Sequence, residues 1–328
     1  MPLFSVIIPA YNRANLLRLT LKSLERQTFS DYEAFIIDDS STDCTPKVFA
    51  EFKDRSSWRF IRFETNKRQA YCRNYAMERA AGEYMTFLDA DDLWLPHRLE
   101  KFAELAKANP KAGFIFSNGY ILREGRLTGK FFNESRAVPR GKLPSYMAIS
   151  DKWLPYVTTN VAFKREVLAK TGPFRQDMSH LEDMELYVKI LKEWEVDYIP
   201  DPLSVYRIHS FTANLASLTL NWEAGIADTY TTIKTAAPPE AVEKELKDHI
   251  HTNQAEIYLK NMQPANARKH LLCTSRRGLK FYFYFLASFL PVALLMVLRM
   301  LYAMQRKNLS WAGRESHKTA AWIKGLES

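Results

Sequence analysis

Four short apolar runs, each halted by a polar cluster or a loop and followed by a helix-patterned stretch, fill the chain up to Ala108. Phe4–Ile8 is apolar and β-branched and ends at Pro9, the pattern of a strand buried on both faces. Leu17, Leu21 and Leu24 then recur at helical spacing, with Arg18, Lys22, Glu25 and Arg26 on the other faces. Ala34–Ile37 reads as a second strand, stopped by Asp38-Asp39-Ser40-Ser41-Thr42-Asp43, and Thr45-Pro46 as a cap with proline in the first helical turn. Trp58–Phe63 and Tyr84–Leu88 supply two more strands. Tyr71–Ala81, closed by Gly82 as a C′ glycine, and Pro96–Ala108 supply helices. This alternation implies an α/β fold, a mainly parallel sheet with helices on its faces. Ligands of such sheets sit beyond the carboxyl ends of the strands. Pro9–Asn12, Asp38-Asp39 and Asp89–Asp92 all fall at such ends, so three polar clusters are placed to converge on one crevice.

From Gly113 to His209 the pattern is a mix of short strands and loops with one clear helix near Glu182–Trp194. Beyond Ser210 it turns helical, over Asn221–Ala236, Glu240–Met262 and Pro264–Leu272, punctuated by Pro238-Pro239 and Pro264. Three parts are therefore expected: an α/β domain over residues 1–215, a helical extension over 216–275, and a basic, apolar tail over 276–328. In that tail Phe281–Leu298 carries no formal charge, is interrupted by Pro291 and is flanked by Lys280 and Arg299. Its length sits at the lower edge for a bilayer span, so a span, a membrane-surface element and a core helix all remain open. The cationic flanks favour a membrane surface, with residues 279–304 as the contact.

A formal charge of +9 favours an anionic partner, and nucleic acid, a diphosphate substrate and anionic lipid all qualify. No aromatic-basic recognition motif is present, so nucleic acid is not expected. The three cysteines, Cys44, Cys72 and Cys273, lack CxxC or metal-ligand spacing and fit a reducing compartment. Met1–Pro9 has no basic n-region and no long apolar run, so no signal peptide is expected.

Asp89, Asp91 and Asp92 follow a buried strand and precede a helix. Aspartates there serve as caps and turn formers. Three together also repel, and a hard divalent cation with oxygen ligands relieves that repulsion and bridges to a diphosphate. Both readings stand on residue chemistry. Asp38 and Asp39 carry the same ambiguity: one is placed to cap the helix near Thr45, the other to accept from a nucleobase N–H. Tyr11 offers either a face for a base or a half-buried strand end.

Four blocks occur in order: Ser5-Val6-Ile7-Ile8-Pro9-Ala10-Tyr11-Asn12-Arg13, Ile37-Asp38-Asp39-Ser40-Ser41-Thr42-Asp43, Ala80-Ala81-Gly82-Glu83-Tyr84 and Phe87-Leu88-Asp89-Ala90-Asp91-Asp92. Together they resemble the nucleotide-binding half of the inverting glycosyltransferases of family 2, over about Pro2–Ser210. The resemblance implies a GT-A fold, Rossmann-like, with a C-terminal helical extension. It implies a nucleotide-sugar donor, a UDP-sugar, and a divalent metal, Mn2+ or Mg2+. Pro9, Tyr11 and Asp39 would contact the base, and Arg68 or Arg73 would lie near the nucleotide. The Asp89-Ala90-Asp91 segment would hold ribose and metal, with Asp91 as the direct metal ligand and Asp89 reaching the sugar-nucleotide. One departure stands out: family members carry a glycine-containing loop after the residue matching Asn66, and this chain has Lys67-Arg68-Gln69-Ala70.

Downstream, His180-Leu181-Glu182-Asp183-Met184-Glu185-Leu186 resembles the family's acceptor-side Glu-Asp-x-x-Leu motif, which makes Asp183 the first choice of catalytic base and Glu182 the second. On residues alone it is an acidic helix start favoured by the macrodipole. Tyr206-Arg207-Ile208-His209 resembles the family's Tyr-Arg-x-His segment, with His209 at the diphosphate or metal and Arg207 and His180 as weaker candidates. Trp94 and Trp153 either pave an acceptor site or lie buried. The implied activity is transfer of a single sugar to a saccharide or lipid-linked acceptor in surface glycan biosynthesis, on the inner face of the cell membrane. A glycine-rich phosphate loop of the nucleotidyltransferase kind and a Gln-x-x-Arg-Trp motif of processive synthases are both missing. A polyprenyl-phosphate sugar transferase and a catalytically silent nucleotide-sugar-binding protein on the same fold are the remaining alternatives.

Overall fold

The computed structural model describes residues 1–133, 137–149, 154, 156–178, 181–208, 222–260, 263–275, 279–290, 294 and 314–327. The apolar runs of the first quarter form β1 (Phe4–Ala10), β2 (Tyr32–Asp38), β3 (Trp58–Arg62) and β4 (Tyr84–Phe87). They lie side by side in the order β3-β2-β1-β4, every pairing parallel. Beyond them come β5 (Leu93–Trp94), β6 (Ala112–Arg123), β7 (Arg126–Lys130), β8 (Val161–Lys164) and β9 (Glu195–Ile208). β8 enters antiparallel between β4 and β6, β9 runs parallel to β6, and β5 and β7 close the sheet antiparallel on β9 and β6. The result is a mixed sheet whose amino-terminal half is wholly parallel, flanked by helices as expected for an α/β chain of this class.

The helices of this part are α1 (Ala14–Glu25), α2 (Thr45–Glu51), α3 (Arg68–Met77), α4 (Arg98–Ala108), α5 (Leu168–Thr171) and α6 (Glu182–Glu193). Leu17, Leu21 and Leu24 of α1 are fully buried against Phe4, Val6, Ile8 and Ile36 of the sheet. Each such side chain contributes about 1.5–3 kcal/mol by leaving water. Where α3 ends differs from the sequence expectation: it stops at Met77, with Glu78 as its cap in ordinary right-handed geometry, so Gly82 closes no helix. Gly82 is needed for close approach instead. A Cβ there would sit 2.5 Å from Ser5 N and 2.7 Å from Phe4 C, backbone atoms that cannot swing aside. Gly82→Ala is therefore expected to destabilise the protein by about 1–3 kcal/mol, read as a lower urea midpoint at unchanged slope.

The chain divides into two compact units, residues 1–236 with 312–328, and residues 237–311. These boundaries differ from the breaks at 215 and 275 read from composition. α7 (Trp222–Ala236) and α11 (Arg314–Glu327) belong to the first unit; α8 (Glu240–Lys260), α9 (Pro264–Leu272) and α10 (Leu279–Ala287) form the second. On α11, Ile323 and Leu326 pack with Leu93, Tyr120, Leu122 and Val205. Lys22 Nζ of α1 donates to Leu326 O (2.9 Å) and Arg26 to Gly325 O (3.1 Å), cations placed where a helix terminus leaves carbonyls open.

Within the second unit, α10 covers the first part of the long apolar stretch. It buries Phe281 and leaves Leu279, Tyr282, Phe283 and Leu286 exposed. Among the described residues no helix is long and apolar enough to cross a membrane.

Candidate active site

A crevice of about 380 Å³ opens where the parallel strands end. β1 delivers Pro9, Ala10 and Tyr11 to its wall, the loop after β2 delivers Asp39, and the turn after β4 delivers Asp89, Ala90 and Asp91. The three clusters expected to converge from their places at strand ends do so. Tyr11 is 47% exposed, its ring free to meet a flat ligand. The next residue, Asn12, is left-handed at φ 51°. Its N–H donates to Ser41 Oγ (2.9 Å) and its Oδ1 accepts from Thr42 N–H (2.8 Å), which ties the β1 and β2 loops together.

Asp39 uses both carboxylate oxygens on the loop opposite, accepting from Lys67 N–H (2.7 Å) and Arg68 N–H (2.8 Å). This accounts for the departure at Lys67-Arg68-Gln69: Arg68 itself takes the left-handed conformation, at φ 69°, that glycine would adopt freely. The Arg68 side chain is exposed and is not among the residues lining the crevice. Neither Asp38 nor Asp39 caps α2, contrary to expectation. Asp43 holds that helix start, its Oδ1 accepting from Thr45 N–H (2.9 Å) and Thr45 Oγ1 (2.6 Å). Asp38 is buried and accepts from Ser41 N–H (2.9 Å).

The aspartate turn splits in two. Asp92 does turn chemistry: it is buried, accepts from Arg207 N–H (2.8 Å) and donates its own N–H to Asp89 O (2.9 Å). Burial, with Asp91 and Asp89 alongside, pushes its carboxyl well above the usual carboxylate range. Asp89 and Asp91 face the crevice. Asp89 Oδ1 lies 3.1 Å from Arg73 Nη2. Burial raises its carboxyl, the Arg73 guanidinium opposes that, and Asp91 adds to it. Asp91 Oδ2 sits 3.7 Å from Arg13 Nε.

Two carboxylates on one wall form an oxygen-donor set for a hard cation. Among the described residues no group of three or more His, Cys, Asp or Glu side chains forms a metal cage. A Mg2+-like ion needs only one or two carboxylates when phosphate and water supply the rest. The residues present thus fit an ion shared with a diphosphate and do not fit a closed structural site. His209 lies outside the described residues, as do His180 and Trp153.

Gln69 and Cys72 of α3 and Tyr206 and Arg207 of β9 complete the walls. Burial, helped by Asp92, Asp89 and Asp91, pushes the Tyr206 phenol up to about 12, so it remains a hydrogen-bond donor at neutral pH. Burial and Asp39 likewise keep the Cys72 thiol protonated. Sequence reasoning gave no role to Gln69 and Cys72, one helical turn apart on α3: Gln69 stood in the quoted Lys67-Arg68-Gln69-Ala70 run and Cys72 among the cysteines. Arg13 and Tyr206 lay inside quoted motifs without an assigned role.

Downstream, α6 starts at Glu182, after Leu181 at φ 60°. Glu182 is 3% exposed and its Oε1 accepts from Gln69 Nε2 (2.6 Å) and Arg73 Nη1 (3.0 Å). Burial, then the Asp183 charge, pushes its carboxyl up against the pull of Arg73. Asp183 is only half-buried, and its Oδ2 accepts from Thr158 Oγ1 (2.8 Å). Its charge acts on Asp89 and Tyr206, so the two acidic motifs lie within electrostatic reach of each other. Trp94 is wholly buried with Nε1 donating to Thr159 O (2.8 Å), which removes it from an acceptor surface.

A mixed sheet flanked by helices, whose parallel strand ends bring an aspartate turn to one crevice, is the architecture of a GT-A fold. The profile described as Glycosyl transferase family 2 matches residues 5–172, and the chain belongs to that family as a glycosyltransferase. It is 25% identical over 292 residues to an uncharacterized glycosyltransferase of Haemophilus influenzae, covering 86% of this chain and 89% of that one. It is 29% identical over 197 residues, 60% of this chain and 73% of the other, to a UDP-Glc:alpha-D-GlcNAc-diphosphoundecaprenol beta-1,3-glucosyltransferase of Escherichia coli. The fold matches a mannosyltransferase of Pyrobaculum calidifontis, solved with GDP-Man and Mn2+, at a TM-score of 0.55 and 20% identity, over 99% of this chain and 85% of that one.

Proposed function

We propose that the protein moves a single sugar from a UDP-sugar to a saccharide or lipid-linked acceptor, with inversion, in surface glycan biosynthesis. The observation that supports this reading is the crevice at the parallel strand ends, which gathers Tyr11, Asp39, Asp89 and Asp91, with the half-buried Asp183 outside its walls but near enough for its charge to act on Asp89. The Tyr11 ring stacks on the base, Pro9 and Asp39 border it, and Asp89 and Ala90 meet the ribose side. Asp91 holds a divalent ion, Mn2+ or Mg2+. When bound, the ion offsets charge developing on the leaving diphosphate. Asp183 takes the proton of the acceptor hydroxyl as that oxygen attacks the anomeric carbon from the face opposite the diphosphate. The C–O bond to the acceptor forms as the C–O bond to the diphosphate breaks, and no covalent enzyme intermediate is needed.

The lipid-linked acceptor is supported by the diphosphoundecaprenol named for the Escherichia coli relative. A membrane-surface contact within residues 279–304, on the cytoplasmic face, is supported by the exposed Leu279, Tyr282, Phe283 and Leu286 of α10. Titrating UDP into the protein with and without Mn2+ tests the donor half. Metal is expected to tighten binding by about tenfold or more, and equal affinities would remove the ion from the site. A panel of nucleotide-sugars, scored by UDP or GDP release, then identifies the donor.

A further inference from the structure

We propose that Arg73 is a positioning residue that locks the acceptor-side helix α6 to the aspartate turn through Glu182, and is not a nucleotide contact. The inference rests on the functional reading above only for its catalytic readout. Arg73 is 2% exposed and does not line the crevice. Its Nη1 lies 3.0 Å from Glu182 Oε1 and its Nη2 3.1 Å from Asp89 Oδ1. The guanidinium is wedged between the rings of Phe87 and Phe174, at 5.9 and 5.6 Å from their centroids. To reach a ligand it would have to leave the buried Glu182 carboxylate, and Asp89 at the crevice wall, without their cation, which is costly.

Glu182 is committed in the same way. It is buried, and one oxygen already accepts from both Gln69 and Arg73. A carboxylate so buried is out of an acceptor's reach, which leaves Glu182 as the anchor and the adjacent, half-buried Asp183 as the base. The anchor matters because α6 begins after a left-handed leucine, Leu181, a conformation that persists only where neighbours over-determine it. Asn74, next to Arg73, adds a second grip: it donates to Phe174 O (2.8 Å) and accepts from Phe174 N–H (3.0 Å). Helix α3 thus holds the segment leading to α6 at two successive residues, and one arginine joins donor wall to acceptor helix.

The test is a double-mutant cycle in the full chain with Arg73→Met, Glu182→Gln and both together. UDP affinity in Mn2+, UDP release from UDP-glucose and urea unfolding are measured for each. Arg73→Met is expected to leave UDP affinity within about threefold and to lower kcat by about 10- to 100-fold, and the double variant to recover at least about tenfold of that loss. The recovery follows because removing the Glu182 charge relieves the carboxylate that Arg73→Met strands. A loss of UDP affinity of about tenfold with kcat unchanged, or strictly additive effects, would overturn the proposal. Arg73→Lys, which keeps the charge but loses the two-pronged geometry, covers the case in which Arg73→Met does not fold. It is expected to lower kcat with UDP affinity retained, and a kcat equal to that of the unaltered chain would overturn the proposal. If the unaltered chain binds no UDP and releases none, the donor reading fails. The unfolding cycle still reports the Arg73–Glu182 coupling in that case, and a coupling of zero would overturn the positioning role.

Discussion

Asp183→Asn is expected to lower the rate of sugar transfer by about 10²- to 10⁴-fold while UDP binds as before. The substitution keeps the shape of the side chain and leaves an oxygen able to accept from Thr158 Oγ1, which holds Asp183 Oδ2 at 2.8 Å. What it removes is the carboxylate basicity that the proposed role of Asp183 as base requires. Because Asp183 is not among the residues lining the donor crevice, the nucleotide half has no reason to respond. The measurement is a transfer rate beside a UDP isotherm on the same preparation. Transfer persisting at the original rate places the base elsewhere.

The second large effect is expected at Asp91. Asp91→Asn should abolish the tightening of UDP by Mn2+, so affinity in metal drops by about 10- to 100-fold, while affinity without metal is unchanged. The asymmetry follows from position. Asp92 is buried and tied into the turn by Arg207 N–H, and Asp89 lies 3.1 Å from the buried Arg73, whereas Asp91 stands at the crevice wall, 26% exposed, with the solvent-accessible Arg13 at 3.7 Å. If Asp91→Asn titrates UDP like the unaltered chain in both conditions, another group carries the ion.

The parallel half of the sheet was legible because strands buried on both faces read as unbroken apolar runs, as Phe4–Ile8 and Ala34–Ile37 do. β6 and β9, the long pair toward the β5 end of the sheet, were not. β6 carries Gly113, Ser117, Asn118 and Gly119, β9 carries Pro200 and Pro202, and their register shifts at Ser117/Asn118 and Asn118/Gly119. Ser117 and Asn118 are wholly buried, and Asn118 is satisfied by the backbone of Gly119 and Phe132, a pairing no local pattern announces.

Within the site, residue type located the acidic clusters but could not sort their members. Asp92 differs from Asp91 only because Arg207, 115 residues away, brings its N–H to one of them. Glu182 differs from Asp183 because Arg73, 109 residues away, pairs with it. α11 went unread for another reason: its short apolar face at Trp322, Ile323 and Leu326 is overshadowed by the uncharged Phe281–Leu298.

The way α11 rejoins the first unit makes residues 237–311 an insertion spliced into the catalytic body, not an appendage at its end. Truncation from residue 237 onward therefore does more than strip the apolar stretch. It also withdraws Ile323 and Leu326 and bares Leu93 and Val205, on the strands that continue from Asp92 and lead up to Arg207. A dead truncation would report a damaged catalytic core as readily as a lost membrane contact. The cut that respects the topology excises 237–311 and rejoins the flanks by a flexible linker. Lengthening such a linker is inexpensive, since each doubling costs only about 0.6 kcal/mol in closure entropy.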